Sequence, residues 1–373
     1  MARRPGLEPT TVSVPDSVLN DLRARLARTR LPNQIVGIGW EQGTDRDYLE
    51  SLLSHWRERY EWRETESRLN SYPQFVTTVD GQRIHMIHAR SDNPAAVPLL
   101  MTHGWPGSVL EFLDVLGPLS TDFHVVTPSL PGFTFSGDTS DRGWHPRRIA
   151  AAFAEVMDRL GYERYGLQGG DWGSLVSANI ADLYPDRVIG LHLNMVTTTR
   201  PLPGVELPED ERLAREASER WRRTGVGYQE IQGTRPQSLG YALQDSPAGL
   251  AAWIVEKFRE WSHGDIEVAF TFDRLLDNIT AYWVTGTATS SLRIYWEMRQ
   301  ARREAVPIDR IEVPTAIAMF PGEISYPPRA WTEAAFNVVR WSKPVRGGHF
   351  AAMEAPEEFC EDVGQFFRQL QAR

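Results

Sequence analysis

The feature that most constrains this chain is a strand–helix alternation that begins near Gln74, stops between Val196 and Arg303, and resumes at Thr315–Phe320. Short apolar runs at Val97–Met101, Phe123–Thr127, Arg164–Leu167 and Val188–Leu193 predict strands. A strand covered on both faces reads as such a run rather than as an alternation. Arg147–Leu160 and a segment from about Ser174 to Tyr184 predict the helices between them. Upstream, Phe75–Val79 and Arg83–His88 flank Asp80-Gly81, a two-residue hairpin signal. Strands alternating with helices imply a mostly parallel sheet with helices on both faces. The interrupting stretch is helix-like and rich in aromatics, including Trp221, Tyr228, Trp253, Trp261, Tyr282, Trp283, Tyr295 and Trp296. A sheet interrupted and then completed describes a core with a helical lid. Later elements are expected near Ala330–Trp341 and Glu357–Leu370.

Residues 1–70 read mainly as helix. Pro15 and Asp16 make a start signal, and Leu19, Leu22 and Leu26 recur on one helical face. A second helix is expected from Asp45 to Trp62, where Tyr48, Leu52 and Trp56 recur every four residues. Pro32, Gly37, Gly39 and Gly43 punctuate the connection.

Composition narrows the class. With 41% hydrophobic and 24% charged residues, the 373-residue chain has ample material for a globular core. A net charge of −9 argues against a polyanion such as nucleic acid as the main partner. Cys360 is the only cysteine, so no internal disulfide holds the fold, which suits a cytoplasmic protein. The arginine-rich first thirty residues lack the apolar run of a signal peptide, and no stretch reaches the roughly 18–20 apolar residues of a membrane span. A protein without a membrane anchor is therefore expected.

Three segments carry chemistry. Leu167-Gln168-Gly169-Gly170-Asp171-Trp172-Gly173-Ser174 places an acidic residue between glycines, after a predicted strand and before a predicted helix. That is the context of a nucleophile elbow, where close backbone approach demands small neighbours. A carboxylate needs no base to ionise and can attack directly, forming an ester. The plainer alternative is that Asp171 caps the following helix. His103-Gly104-Trp105-Pro106-Gly107-Ser108 follows the strand Val97–Met101. Such a turn can aim a backbone N–H at a developing oxyanion, the second donor being the residue after the nucleophile. The donors would be the N–H groups of Trp105 and Trp172. An ordinary strand-to-helix turn is the alternative, and a tight turn here is a candidate for a cis bond before Pro106. Arg346-Gly347-Gly348-His349-Phe350 supplies the candidate base, because histidine titrates at about 6.5, near working pH. Glu323, in Phe320-Pro321-Gly322-Glu323, is the candidate orienting acid, with Glu354 and Glu312 as weaker competitors. The order Asp171, Glu323, His349 is nucleophile, acid, base. His85 and His88 fall on opposite faces of a predicted strand, no zinc spacing or phosphate loop is present, and neither metal nor cofactor is expected.

Taken together, these segments resemble the microsomal-type epoxide hydrolases, including the juvenile-hormone epoxide hydrolases. The likeness runs from about Val12 to the C-terminus through HGWPGS (103–108), GGDWGS (169–174), GYQEIQGTRPQ (227–237), YALQDSPAGL (241–250), YWVTGT (282–287), SSLRIYWEMR (290–299) and RGGHFAAMEAP (346–356). It implies an α/β-hydrolase fold: an N-terminal helical segment (1–70) against core and lid, a core of 71–195 and 306–373, and a lid of 196–305. It also implies that Tyr228 and Tyr295 grip the epoxide oxygen, with Tyr282 and Tyr241 as alternatives. The expected reaction converts an epoxide to a vicinal diol. Asp171 forms an ester, which water then hydrolyses under activation by His349 and Glu323. The expected substrate is bulky and apolar or aryl, water is the co-substrate, and a homodimer is allowed. A dehalogenase of the same fold is the rival reading, with Trp172 as a halide donor. A non-catalytic binding module is the other.

Overall fold

The computed structural model describes residues 6–197, 199–202, 204–302 and 308–372. Nine strands form one sheet: β1 (Glu8–Thr10), β2 (Gln74–Val79), β3 (Gln82–Ala89), β4 (Val97–Thr102), β5 (Phe123–Pro128), β6 (Tyr165–Gly169), β7 (Val188–Leu193), β8 (Ile311–Ala318) and β9 (Phe336–Ser342). Their order is β1-β2-β3-β5-β4-β6-β7-β8-β9. Pairing is antiparallel from β1 to β5 and parallel from there to β9. Asp80 and Gly81 both take positive φ, 49° and 78°, as the β2–β3 hairpin requires. β4 to β7 are buried almost throughout, which is why their sequences are apolar runs.

The helices follow from their buried faces. Pro146–Arg159 opens with proline at its first turn, buries Ile149, Ala150, Phe153, Val156 and Met157, and leads to Gly161 at φ 80°. Arg46–Glu58 is capped by Asp45, whose side chain accepts the Tyr48 N–H at 2.9 Å.

Three details differ from the sequence expectation. The second N-terminal helix stops at Glu58, and a separate helix, Trp62–Asn70, follows. Arg59 leaves helical geometry at φ −128°, a break that the four-residue spacing of Tyr48, Leu52 and Trp56 does not register. Glu8–Thr10 forms an edge strand, in a stretch read as helical. The region near Ala330–Trp341 is a short helix, Arg329–Ala335, running directly into strand β9.

Between β7 and β8 lies the helical insertion, with helices Glu209–Thr224, Gly227–Thr234, Pro236–Asp245, Pro247–Trp261, Ile266–Ala269, Phe272–Thr285 and Ala288–Ala301. Its expected end at 305–306 lies outside the described residues. The N-terminal segment grips it. Arg25 Nη1 donates to the Asp245 carbonyl at 2.8 Å, Thr44 to the Ala252 carbonyl at 2.6 Å, and Tyr60 to Asp277 at 2.9 Å. Asp114 of the core pairs with both Arg68 of the N-terminal segment and Arg274 of the insertion, so one carboxylate ties all three. Among the described residues, no helix is long and apolar enough to cross a membrane.

A buried charge network joins the C-terminal helix Pro356–Gln371 to the sheet. Asp362 meets His192 Nε2 at 2.9 Å and pairs with Arg340. Burial opposes the Asp362 charge, but His192 and Arg340 outweigh it and hold the carboxyl well below its usual range. This stabilisation is therefore present above the unfolded Asp value of about 3.9 and lost as pH falls toward the lower folded value. Asp362→Asn should cost about 3–5 kcal/mol, because it leaves His192 and Arg340 without their carboxylate. Urea unfolding at neutral pH measures the loss, and the difference between the two proteins should shrink on acidification.

Candidate active site

The site begins at the turn after β6. Asp171 opens the helix Asp171–Leu183 at φ 48°, a left-handed conformation that a non-glycine residue occupies only when its surroundings hold it there. Space around it is minimal: a Cβ on Gly173 would sit 1.8 Å from the Thr102 carbonyl oxygen. Gly170, not Asp171, occupies the cap position. The Asp171 side chain turns instead toward the loop after β4, where its Oδ1 accepts the Trp105 N–H at 2.7 Å. The N–H of Trp172 lies in the first helical turn, where amides have no intrahelical acceptor. Of the two candidate donors, Trp105 is thus seen on the Asp171 carboxylate, and the Trp172 N–H is free of an intrahelical acceptor.

The loop carrying Trp105 is fixed from the insertion side. Its Trp105–Pro106 bond is cis. Asn278 Nδ2 donates to the Pro106 carbonyl at 2.7 Å, and the Tyr282 hydroxyl donates to the Gly107 carbonyl at 2.6 Å. Tyr282 is thus committed to the loop, and Tyr241 is 69% exposed on the surface. Neither faces Asp171 in the way the resemblance requires of the epoxide-gripping pair.

Glu323 follows β8, and His349 follows β9. The two loops are bridged by Gly322 N–H donating to the Gly347 carbonyl at 3.1 Å. Both Glu323 oxygens lie 3.1 Å from His349 Nδ1, and His349 Nε2 lies 3.6 Å from Asp171 Oδ2. Glu323 is itself oriented by the Ile324 N–H at 2.6 Å. The competing carboxylates are engaged elsewhere: Glu354 accepts the His263 and Phe350 N–H groups, and Glu312 pairs with Arg310. Burial works against a charged imidazole, yet Glu323 and Asp171 outweigh it and hold His349 well above the ordinary histidine value.

Two phenols complete the cluster. Tyr228 stacks on Trp105 at 5.3 Å and 13°, and Tyr295 meets the Trp172 ring edge-on at 4.7 Å. The two tyrosine rings are 5.7 Å apart and both are buried. Burial first raises both hydroxyls above the usual tyrosine value, helped by the Asp171 charge at Tyr228 and by Tyr228 and then Asp171 at Tyr295, so they remain protonated donors at neutral pH.

Comparison with known proteins gives the family and the fold. Residues 7–112 match the model of the epoxide hydrolase N terminus, and residues 97–235 match the alpha/beta hydrolase fold. A provisionally named epoxide hydrolase of Stigmatella aurantiaca is 44% identical over 99% of this chain and 86% of its own. The chain belongs to the epoxide hydrolase family. Its α/β-hydrolase fold superimposes on the juvenile hormone epoxide hydrolase of the silkworm Bombyx mori with a TM-score of 0.91, at 31% identity over 98% of this chain and 95% of the other. The Aspergillus niger epoxide hydrolase gives 0.90, at 31% identity over 98% and 97%.

Relative to this family's chemistry, sequence reasoning overlooked several contributors. Trp261, read only as one of the insertion's aromatics, lies 4.9 Å edge-on to the His349 ring, and its carbonyl accepts the His349 N–H at 3.0 Å. Lys257 Nζ sits 4.5 Å from the centre of the Tyr228 ring. Asn278 carried no signal at all, since its work is a contact with a loop 172 positions away. His85 bonds Ser129 and Gln74, and His88 bonds Tyr162, so both serve the core. Among the described residues, no cluster of His, Cys, Asp and Glu is arranged to hold a metal.

Gly104 tests this geometry. A Cβ there would fall 2.1 Å from Asp171 Oδ1, so Gly104→Ala must displace the carboxylate. Misplacement of about 1 Å costs on the order of 10²-fold in rate. The expected result is an enzyme with wild-type circular dichroism whose reaction with epoxide is slowed by that factor.

Proposed function

We propose that this chain converts an epoxide to a vicinal diol in two half-reactions, with Asp171 as the covalent nucleophile. The observation that carries the reading is the elbow carboxylate itself. One oxygen is held by the Trp105 N–H and the other lies 3.6 Å from His349 Nε2, beside two buried phenols. Oδ1, already in a hydrogen bond, is the oxygen suited to become the ester carbonyl, which leaves Oδ2 to attack.

In the first half-reaction, Oδ2 forms a bond to an epoxide carbon as the ring C–O bond breaks. The nascent alkoxide takes a proton from Tyr228 or Tyr295. Esterification removes the Asp171 charge, and with it one of the two carboxylates that hold His349 protonated. The imidazolium therefore gives up its proton to the tyrosinate and becomes a neutral base, oriented by Glu323. In the second half-reaction, His349 takes a proton from water as its oxygen attacks the ester carbonyl carbon. The N–H groups of Trp105 and Trp172 receive the oxyanion. The ester C–O bond breaks, the diol alkoxide takes the proton from His349, and the new Asp171 acid returns a proton to His349. One water is consumed and the ion pair is restored.

The aromatic surroundings of Asp171 support a bulky apolar or aryl epoxide as substrate. On this reading 196–305 acts as a lid, 1–70 braces it, and 71–195 with 306–373 forms the core. The lone half-buried Cys360 supports a reducing, cytoplasmic setting. Dehalogenation is disfavoured because the groups above Asp171 are phenols that can return a proton to an alkoxide, which a departing halide does not need.

The covalent step is tested in heavy-oxygen water. In a single turnover the label should enter Asp171 and be missing from the first diol released; label in that diol would make Asp171 only a base. His349→Gln should accumulate an ester on Asp171, seen by mass spectrometry. In the wild type, ester hydrolysis should rise with pH through a His349 pKa lower than that of the free enzyme, because one carboxylate is gone.

The tyrosines are tested separately. Loss of one charge-stabilising donor costs about 10²–10³-fold, and the partner should buffer a single change. Tyr228→Phe/Tyr295→Phe should therefore slow alkylation more than either single variant, with ester hydrolysis nearly unchanged. Near-wild-type alkylation by the double variant, read by stopped flow, would reject the assignment.

A further inference from the structure

A small cavity of about 20 Å³, with room for about one water, borders Asp171 and His349, and neither Tyr228 nor Tyr295 lines it. Its lining includes Thr102, Glu111, Gln168 and Asn194. Its polar lining has no use in the epoxide-opening half-reaction, which takes place beside the phenols. Thr102 and Gln168 are each 1% exposed, and Thr102 Oγ1 and Gln168 Oε1 find no hydrogen-bond partner among the described residues. Buried polar atoms of this kind are costly unless something satisfies them, and a polar cavity with room for a water is where water does so.

Glu111 is the one acidic residue of this lining besides Asp171. It lies in the 3-10 turn Val109–Phe112, directly after the loop that carries Trp105. Its carboxyl fills the space left by Gly107: a Cβ on Gly107 would fall 1.3 Å from Glu111 Oε1. A carboxyl at this position faces the same cavity as the Asp171 carboxylate and the imidazole of His349.

We propose that this cavity is the chamber of the hydrolytic water and that Glu111 is the positioning residue that holds the water toward the Asp171 ester and His349. The inference rests on the covalent reading above and deepens its second half-reaction. Water reaches the ester carbonyl from the chamber while the diol oxygen remains on the tyrosine side. The two half-reactions thereby use separate sides of one carboxylate.

The charge state of Glu111 suits this role. Burial, with a smaller contribution from Asp171, pushes its carboxyl up to about 8, against the opposing pull of His349 and the Ser108 backbone. Other titratable groups around it are His103, which burial keeps neutral, Tyr282, which is held protonated, and Glu354, whose carboxyl is occupied by backbone amides. At neutral pH Glu111 is thus an uncharged carboxylic acid. It can donate to and accept from water without drawing the His349 proton, so a neutral amide should replace it and an alkyl group should not.

The test separates the steps by stopped flow with an aryl epoxide, following tryptophan fluorescence for alkylation and mass spectrometry for the ester. Glu111→Leu should alkylate at the wild-type rate but hydrolyse the ester roughly tenfold more slowly, the effect of one lost hydrogen bond. Glu111→Gln should keep most of the hydrolysis rate at neutral pH. Its pH profile should lack one inflection, at or below pH 8, that the wild type shows, while the His349 inflection stays. Hydrolysis by Glu111→Leu at the wild-type rate would overturn the proposal. So would equal slowing of both steps, which signals lost packing, or an unchanged pH profile in Glu111→Gln should the leucine variant fail to fold. Absence of any ester on wild-type Asp171 is a separate result, and it would reject the covalent reading along with this one.

Discussion

The site depends on keeping one carboxylate charged in a place from which bulk water has been largely removed. An isolated buried carboxylate would neutralise itself, because burial disfavours the ionised form. Asp171 is met by two contacts from different parts of the chain: the Trp105 N–H on Oδ1 and the His349 ring near Oδ2. Every surrounding element answers to that need. The strained φ of Asp171 aims the side chain, Gly104 and Gly173 leave room for it, and the loops after β8 and β9 bring Glu323 and His349 to it.

That arrangement makes charge the variable that orders the reaction. Before esterification, two carboxylates hold the imidazole protonated; after it, one remains. A histidine between two acids is a poor base in the first condition and an effective one in the second. On the proposed mechanism the base therefore becomes available only once there is an ester to hydrolyse. Burial of His349 and Glu323, with Asp171 only partly exposed, limits the solvent screening that would shrink the swing.

Much of this was legible in the sequence, for identifiable reasons. The sheet announced itself because β4 to β7 are buried on both faces, and burial forces apolar composition. Asp171, Glu323 and His349 stood out because chain order and position after predicted strands are one-dimensional properties. Tyr228 and Tyr295 came only through family likeness, since a phenol in an aromatic-rich helix looks like any other packing residue. The edge strand Glu8–Thr10 was hidden by its length: three residues carry no period, and its partner β2 lies more than sixty positions away. Strand β9 was hidden because a helix runs into it without a turn residue between. Trp261, Asn278 and Glu111 act through contacts that only folding creates.

The way the helical insertion is anchored bears on how molecules enter and leave. The N-terminal segment holds it at Ala252, Asp245 and Asp277, while Asn278 and Tyr282 hold the loop beneath it. A segment clasped on both faces has no free edge on which to hinge. Any opening of the insertion as a unit would have to break these bonds together, so the clasp weighs against rigid-body movement as the route by which molecules come and go.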